Sequence, residues 1–116
     1  MSHLSILPTV FRDADTLMRS LQSLGFEPIA GGWVRGFAGE RQAVTVRIDL
    51  SDGQQLGWQD QGDGRLALVA DLQQVSRSNT LRLLLGRLTR AYAALDALRQ
   101  AAADPALASA AVVLLP

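Results

Sequence analysis

The hydrophobic pattern in the middle of the chain constrains the fold more than any other feature of the sequence. Apolar residues recur there at every second position, which is the periodicity of a half-buried β-strand. One face of the predicted strand carries Val44, Val46, Ile48 and Leu50, and the other carries Thr45, Arg47 and Asp49. The segments SDGQ (51–54) and QGDG (61–64) follow, and Asp-Gly pairs favour hairpin turns because both residues tolerate positive φ. The middle of the chain therefore predicts an antiparallel meander that ends with the strand RLALVADL (65–72).

Amphipathic helical patterns flank this meander on both sides. Before it, Asp13 is placed to cap the segment ADTLMRSLQSL (14–24), and Gly25 is placed to end that helix in a left-handed conformation. After it, Ser78 or Asn79 can cap a second helix. The apolar stripe of this second helix consists of Leu81, Leu84, Leu85, Leu88, Tyr92 and Leu95.

A strand is predicted near each end of the chain. In HLSILPTVF (3–11), Pro8 cannot donate to a strand ladder, which favours an edge strand or a bulge. The second helix is expected to stop near Asp104, and the apolar VVLL (112–115) to add a final strand. The order β-α-β-β-β-β-α-β is best satisfied when helices cover one face of an antiparallel sheet. We therefore predict a single α+β domain over residues 1–116, a two-layer sandwich with five or six strands and two helices on one face.

Several residue types that carry enzyme chemistry are scarce or absent. The chain has no Cys, no Lys and one His, His3, which excludes a thiol nucleophile, a disulfide, a catalytic lysine and a two-histidine metal site within one chain. The 11 basic and 11 acidic residues balance, so no net charge draws the protein to nucleic acid or to an anionic membrane. No apolar run reaches the roughly 18 residues of a membrane span. We expect a cytoplasmic protein without cofactor or metal, and without a nucleic-acid or membrane partner.

The glycine-rich segment GGWVRGFAGERQAV (31–44) is interpreted as turns and a hairpin. A Walker loop requires a Lys and a following helix, whereas Lys is absent here and a strand is predicted to follow. Gly31 and Gly32 are expected to form the turn after the first helix. Gly36 and Gly39 are expected to form a bulge and a hairpin corner, because glycine supplies positive φ at little steric cost.

A mixed aromatic and arginine surface is the most suitable candidate for a binding site. Trp33 shares strand parity with Arg35 and Phe37, and aromatic residues and Arg are enriched at binding hot spots. By the same parity argument, Arg35 and Asp71 point away from buried neighbours, towards the sheet face that the helices leave open. The predicted partner-binding residues are Trp33, Arg35, Phe37 and Asp71. An ordinary surface ion pair is the alternative explanation for Arg35 and Asp71.

Five short segments together resemble a known family in their order and spacing. They are SHLS (2–5), VRGFAG (34–39), LGW (56–58), LVADL (68–72) and RAYA (90–93). In these segments the chain resembles the uncharacterised family of the hypothetical chloroplast reading frame thirty-five protein, which occurs in cyanobacteria, algal plastids and some other bacteria. The resemblance implies a protein of the cyanobacterial cytoplasm or the plastid stroma, and it implies no particular activity.

Three functions compete for the predicted surface. The leading hypothesis is a non-catalytic protein-binding or accessory module whose partner docks at Trp33, Arg35, Phe37 and Asp71. The alternative is a small-molecule binder or carboxylate-dependent enzyme, with Asp71 and Asp49 as acid or base and Arg35 as a clamp for an anion. The third is self-association as a homodimer through the open sheet face or an edge strand.

Overall fold

The computed structural model describes residues 4–104, except for the side chain of Phe37, and contains seven strands and three α-helices in that range. The strands are β1 (Leu4–Pro8), β2 (Ile29–Ala30), β3 (Trp33–Arg35), β4 (Arg41–Ala43), β5 (Val46–Asp49), β6 (Gln55–Asp60) and β7 (Leu66–Asp71). The helices are α1 (Ala14–Ser23), α2 (Leu72–Arg77) and α3 (Asn79–Ala103). A 3₁₀ turn at Phe37–Gly39 joins β3 to β4. The strand predicted at VVLL lies outside the described residues.

Five of the strands form one antiparallel sheet in the spatial order β1-β7-β6-β5-β2. The consecutive strands β5, β6 and β7 pair through the two Asp-Gly turns, with Val46 opposite Trp58 and Trp58 opposite Leu68. The predicted meander is therefore confirmed. Strand β1 pairs with β7 at one edge of the sheet. This is the edge position that Pro8 predicts, because a residue without an N–H group is tolerated there.

Helix α1 begins and ends where its capping residues predict. The carboxylate of Asp13 accepts a hydrogen bond from the backbone N–H of Thr16 at 2.9 Å. At the other end Gly25 has a φ of 93°, and the N–H of Phe26 donates to the carbonyl of Leu21. This long hydrogen bond around a left-handed glycine is the Schellman arrangement. Both predicted caps are confirmed.

Helix α3 is also capped as predicted, but a short helix precedes it. The hydroxyl of Ser78 accepts from the N–H of Leu81 at 3.1 Å, and the helix ends at Ala103 with Asp104 as its C-cap. The preceding helix, α2, has only six residues. The sequence pattern does not predict it, because so short a segment cannot show a helical period.

Helices α1 and α3 pack on one face of the sheet and enclose the main hydrophobic core. Trp58 of β6 is fully buried there. Tyr92 of α3 joins the layers: its ring centre lies 4.7 Å from that of Phe11, and its hydroxyl accepts hydrogen bonds from the N–H groups of Arg12 and Asp13. The buried core residues are Phe11, Leu17, Leu21, Val46, Ile48, Leu56, Trp58, Leu66, Leu68, Ala70, Leu81, Leu84, Leu88 and Tyr92. The predicted α+β sandwich, with two helices on one face of a five-stranded sheet, is confirmed.

The opposite face of the sheet is partly covered, contrary to the prediction that it is open. Strands β3 and β4 form a separate hairpin that packs against this face. Its contact is a second small core of Val34, Val44 and Val69, with Leu4 at the margin. Gly57 of β6 permits the contact, because a Cβ there would lie 2.5 Å from Val34 Cγ2 and 2.6 Å from Val44 Cγ1. With three residues each, β3 and β4 are too short for their alternation to predict this layer.

Val44 faces the second core, so its predicted placement on the same face as Val46 and Ile48 is wrong. The cause lies at Thr45, whose N–H donates to the carbonyl of Trp58 although Val46 is the residue paired with Trp58. Two residues of one strand thus oppose one residue of the next, which is the arrangement of a β-bulge. The extra residue reverses the alternation and turns Val44 towards the hairpin.

The glycine-rich segment is a hairpin with a preceding turn, as interpreted from the sequence. Gly39 has a φ of 81° at the corner of the hairpin. Gly36 closes the hairpin loop, with its N–H donating to the carbonyl of Glu40 at 2.7 Å, and it is not among the glycines with positive φ, so its predicted role as a bulge is corrected. Gly31 and Gly32 have positive φ but connect β2 to β3, so their predicted place in the turn after the first helix is corrected. The short strand β2 intervenes.

Candidate partner-binding surface

The outer side of the β3–β4 hairpin presents one aromatic and two cationic side chains. Residues directly opposite each other in an antiparallel pair share a face, and the register places Arg35 opposite Arg41 and Trp33 opposite Ala43. Because Val34 points into the second core, these residues face outward. Trp33 is 47% exposed, and the guanidinium carbon of Arg41 lies 4.7 Å from the centre of its ring. We call Trp33, Arg35 and Arg41 the hairpin patch.

Arg35 and Arg41 are like charges at directly opposite positions of the hairpin, and neither forms an ion pair within residues 4–104. The ion pairs among residues 4–104 are Arg19–Asp15, Arg47–Asp49 and Arg99–Asp96, and none involves an arginine of the hairpin patch. Like charges directly opposite in an antiparallel pair destabilise it. Each guanidinium also offers a planar fork of donors that matches a carboxylate. The hairpin patch is therefore suited to accept a carboxylate from another molecule.

Side chains of the main sheet hold the backbone of the hairpin in place. The N–H of Arg35 donates to the side-chain oxygen of Gln55 at 2.9 Å. Arg47 donates from Nη1 to the carbonyl of Trp33 at 3.1 Å, and is itself paired with Asp49, Nε to Oδ1, at 3.1 Å. Side chains of β5 and β6 therefore hold strand β3, which contains Trp33 and Arg35, by hydrogen bonds.

Asp71 lies outside the hairpin patch, at the end of β7, where it caps α2. Its Oδ1 accepts hydrogen bonds from the N–H groups of Gln73 and Gln74 at 3.0 and 3.3 Å. Strand parity does not apply here, because the chain changes from strand to helix at this residue and the carboxylate turns to the helix N-terminus. The predicted position of Asp71 on an open sheet face beside Trp33 is corrected.

Arg35 and Asp71 nevertheless line one cleft. It lies between β3, the β5–β6 turn and α2, and has a volume of about 420 Å³. Its apolar floor is formed by Leu56, Ala70, Val75 and Leu81, and its polar rim by Arg35, Asp71, Gln54, Gln55 and Gln74. We call it the β3–α2 cleft. The sequence thus identifies two residues of its rim, although on an incorrect argument for one of them.

Two further candidates from the sequence are placed differently. Phe37 begins the 3₁₀ turn, so strand parity with Trp33 does not reach it, and its side chain is outside the described part of the structure. Asp49 is bound by Arg47 and by the side-chain amide of Gln55 at 3.0 Å. It does not line the β3–α2 cleft, so its predicted role as an acid or base beside Arg35 is not supported.

Sequence reasoning missed Arg41. Its position opposite Arg35 follows from the hairpin register rather than from a motif. The available signal is the loop 36–40 between two short polar and aromatic segments, since a loop of this length containing two glycines is typical of a hairpin.

Residues 4–104 contain neither a metal-binding cluster nor a membrane-spanning helix. No group of three or more His, Cys, Asp or Glu in that range is arranged to hold a metal ion. None of the helices there combines the length and the apolar character needed to cross a membrane.

The fold and the site together define a small α+β protein whose sheet carries helices on one face and an arginine-tryptophan hairpin on the other. The sequence matches the family described as "Protein of unknown function (DUF1257)" over residues 20–106, which is 87 of the 116 residues. The chain belongs to this family. A family of unknown function is what the five sequence motifs indicated. No curated protein and no solved structure matches the chain.

Proposed function

We propose that this chain is a non-catalytic protein-binding module that docks an acidic segment of a partner protein on the hairpin patch. The observation that carries the proposal is the arrangement of Arg35 and Arg41. They lie directly opposite each other on an exposed face, beside the exposed Trp33, with no acid among residues 4–104 paired to either.

Binding of an acidic segment is favoured by charge compensation and by burial of apolar surface. A partner carboxylate offsets the like charges of Arg35 and Arg41 and receives charge-assisted hydrogen bonds from a guanidinium group. Apolar groups beside that carboxylate cover the ring of Trp33, which is the residue type most often responsible for binding energy at interfaces. Little ordering is needed on this side, since Gln55 and Arg47 already hold the hairpin backbone.

A second copy of the chain is a poor occupant of the hairpin patch. A two-fold interface presents the same surface from both subunits, so Arg35 and Arg41 would meet the arginines of the other copy. Self-association through the edge strand β1 is supported by one observation, which is the exposure of Ile6 and Leu7. Sedimentation equilibrium showing only monomer at high concentration would remove that possibility.

Selection from a displayed library of random peptides tests the docking proposal. We expect the enriched peptides to carry Asp or Glu next to apolar or aromatic residues. Arg41→Ala should weaken binding of an enriched peptide by about tenfold, because truncation of a hot-spot residue costs more than about 1 kcal/mol. Arg65→Ala is the matched control, since Arg65 is also exposed but lies at the distant β6–β7 turn.

Three results would overturn the docking proposal. They are enriched peptides without acidic residues, binding that survives Arg41→Ala, and a library that yields no enriched sequence. An equal loss of binding in Arg65→Ala would also count against it, because the effect would then reflect net charge and not the hairpin patch.

The setting of the module is part of the same proposal. The order and spacing of the five motifs support a cyanobacterial or plastid protein that works in the cytoplasm or stroma. Cell fractionation with an antibody against the protein tests this, and recovery in the membrane fraction would contradict it.

Small-molecule binding is a second candidate function, and it has one supporting observation. Arg35 and Asp71 line the same cleft. A catalytic role for Asp71 has less support, because its Oδ1 is committed to two backbone N–H groups of α2.

A further inference from the structure

The β3–α2 cleft has the construction of a small-molecule site. Its volume of about 420 Å³ falls within the range of ligand pockets. Leu56, Ala70 and Leu81 in its floor are almost completely buried, while the lining residues of the rim include one arginine, one aspartate and three glutamines. An apolar floor with a few convergent polar groups is the usual design of such sites.

The two charged groups of the rim come from distant parts of the sequence but are brought to the same end of the sheet. Leu4 is paired with Asp71 across β1 and β7. A Cβ on Gly36 would lie 2.8 Å from Leu4 Cγ, so the end of β3 lies next to the Leu4–Asp71 pair. Arg35 and Asp71 do not form an ion pair with each other. Arg35 and Asp71 therefore line the same cleft without being paired with each other.

Asp71 can serve a ligand without giving up its structural role. Both cap hydrogen bonds use Oδ1, and an ionised carboxylate has further lone pairs on its second oxygen. Gln54 is a further polar residue that lines the cleft. Its amide nitrogen donates to Gln74 at 2.8 Å, and its buried Oε1 has no hydrogen-bond partner among the described residues. Turning of this side chain would offer the oxygen to a bound donor.

From this arrangement we infer that the β3–α2 cleft binds a zwitterionic small molecule, an α-amino acid with an apolar side chain. The ligand carboxylate pairs with Arg35, its ammonium group donates to Asp71, and its side chain rests on Leu56 and Ala70. A simple anion is repelled by Asp71 and a simple cation by Arg35, whereas a zwitterion satisfies both. This inference rests on the second candidate function, small-molecule binding, and shares only Arg35 with the hairpin patch.

A titration followed by ¹H–¹⁵N NMR tests the inference, with L-leucine as the probe. We expect saturable shifts of the Gly36 and Val75 amide signals. L-leucine methyl ester lacks the carboxylate and 4-methylpentanoate lacks the ammonium group. Each should bind at least about tenfold more weakly, because each leaves one charged group of the rim without its partner.

Asp71→Asn gives the sharpest test, since Asn caps helices about as well as Asp and the fold should be kept. In this variant L-leucine should lose at least about tenfold in affinity, while 4-methylpentanoate should bind more tightly than to the wild type because the repelling charge is gone. Arg65→Ala, at the β6–β7 turn outside the cleft, should leave L-leucine binding unchanged.

The possible results distinguish zwitterion binding from anion binding and from the absence of a small-molecule site. Equal binding of L-leucine and 4-methylpentanoate to the wild type would overturn the zwitterion inference and leave an anion site in place. Absence of shifts with all three compounds would overturn both the inference and the second candidate function. Neither result affects peptide docking, whose diagnostic variant is Arg41→Ala.

Discussion

Gly57 has no side chain, yet it decides how closely the hairpin approaches the sheet. It lies in the LGW motif between two core residues, and its missing Cβ makes room for Val34 and Val44. Turn positions for glycines such as Gly39 could be predicted from the sequence, because glycine is preferred where a turn requires positive φ. The role of Gly57 could not, because its contact residues lie more than ten positions away and belong to another layer.

Gly57→Ala should destabilise the protein by about 1–3 kcal/mol, since an added methyl group in a close-packed contact forces side chains or backbone to move. Gly86→Ala is the matched control. A Cβ at Gly86 meets only Arg90 Nη1, at 3.7 Å, so this substitution in helix α3 should stabilise by about 0.5–1 kcal/mol. Urea denaturation measures both changes. A neutral Gly57→Ala would show that the hairpin does not pack on β6.

At the scale of single elements, the three helix caps show what local sequence can and cannot predict. Asp13 and Ser78 each precede an amphipathic segment, so their capping roles are predictable from sequence. Asp71 also caps a helix, but it ends a strongly apolar strand and is followed by only six helical residues. The strand pattern dominates there, which explains why Asp71 is interpreted from the sequence as a surface residue of the sheet.

The Asp13 cap predicts a pH dependence of stability. The hydroxyl and the backbone N–H of Thr16 donate to its carboxylate and hold the pKa of Asp13 below its ordinary value. A lowered pKa in the folded state means that the ionised cap stabilises above the unfolded pKa of about 3.9, and that this contribution is lost as pH falls through the folded pKa.

Asp13→Asn should keep the cap and remove this titration, because Asn is an effective N-cap without an ionisable group. We expect the urea midpoint of the wild type to fall relative to that of the variant as pH decreases below about 4. Midpoints measured from pH 6 to acid give the comparison. Parallel curves for the two proteins would show that Asp13 has the same pKa in the folded and unfolded states.

At the scale of the whole molecule, the sequence predicts one layer fewer than the structure contains. The meander and both long helices follow from clear periodicity, and so does the core between them. The hairpin on the opposite face depends on a bulge at Thr45 and on two strands of three residues. The sequence predicts that Trp33 and Arg35 are exposed on the main sheet. In the structure they lie on a separate hairpin, which also brings Arg41 beside them.

The outward position and positive charge of the hairpin patch can be measured by quenching of Trp33 fluorescence, taken as the difference between wild type and Trp33→Phe. Trp58 is fully buried and should contribute little quenching. We predict that iodide quenches Trp33 efficiently and more strongly than caesium, because Arg41 lies against the ring. Arg41→Ala should reduce that preference. A Trp33 signal that resists both ions, or that caesium quenches as well as iodide does, would contradict the exposed cationic patch on which the docking proposal depends.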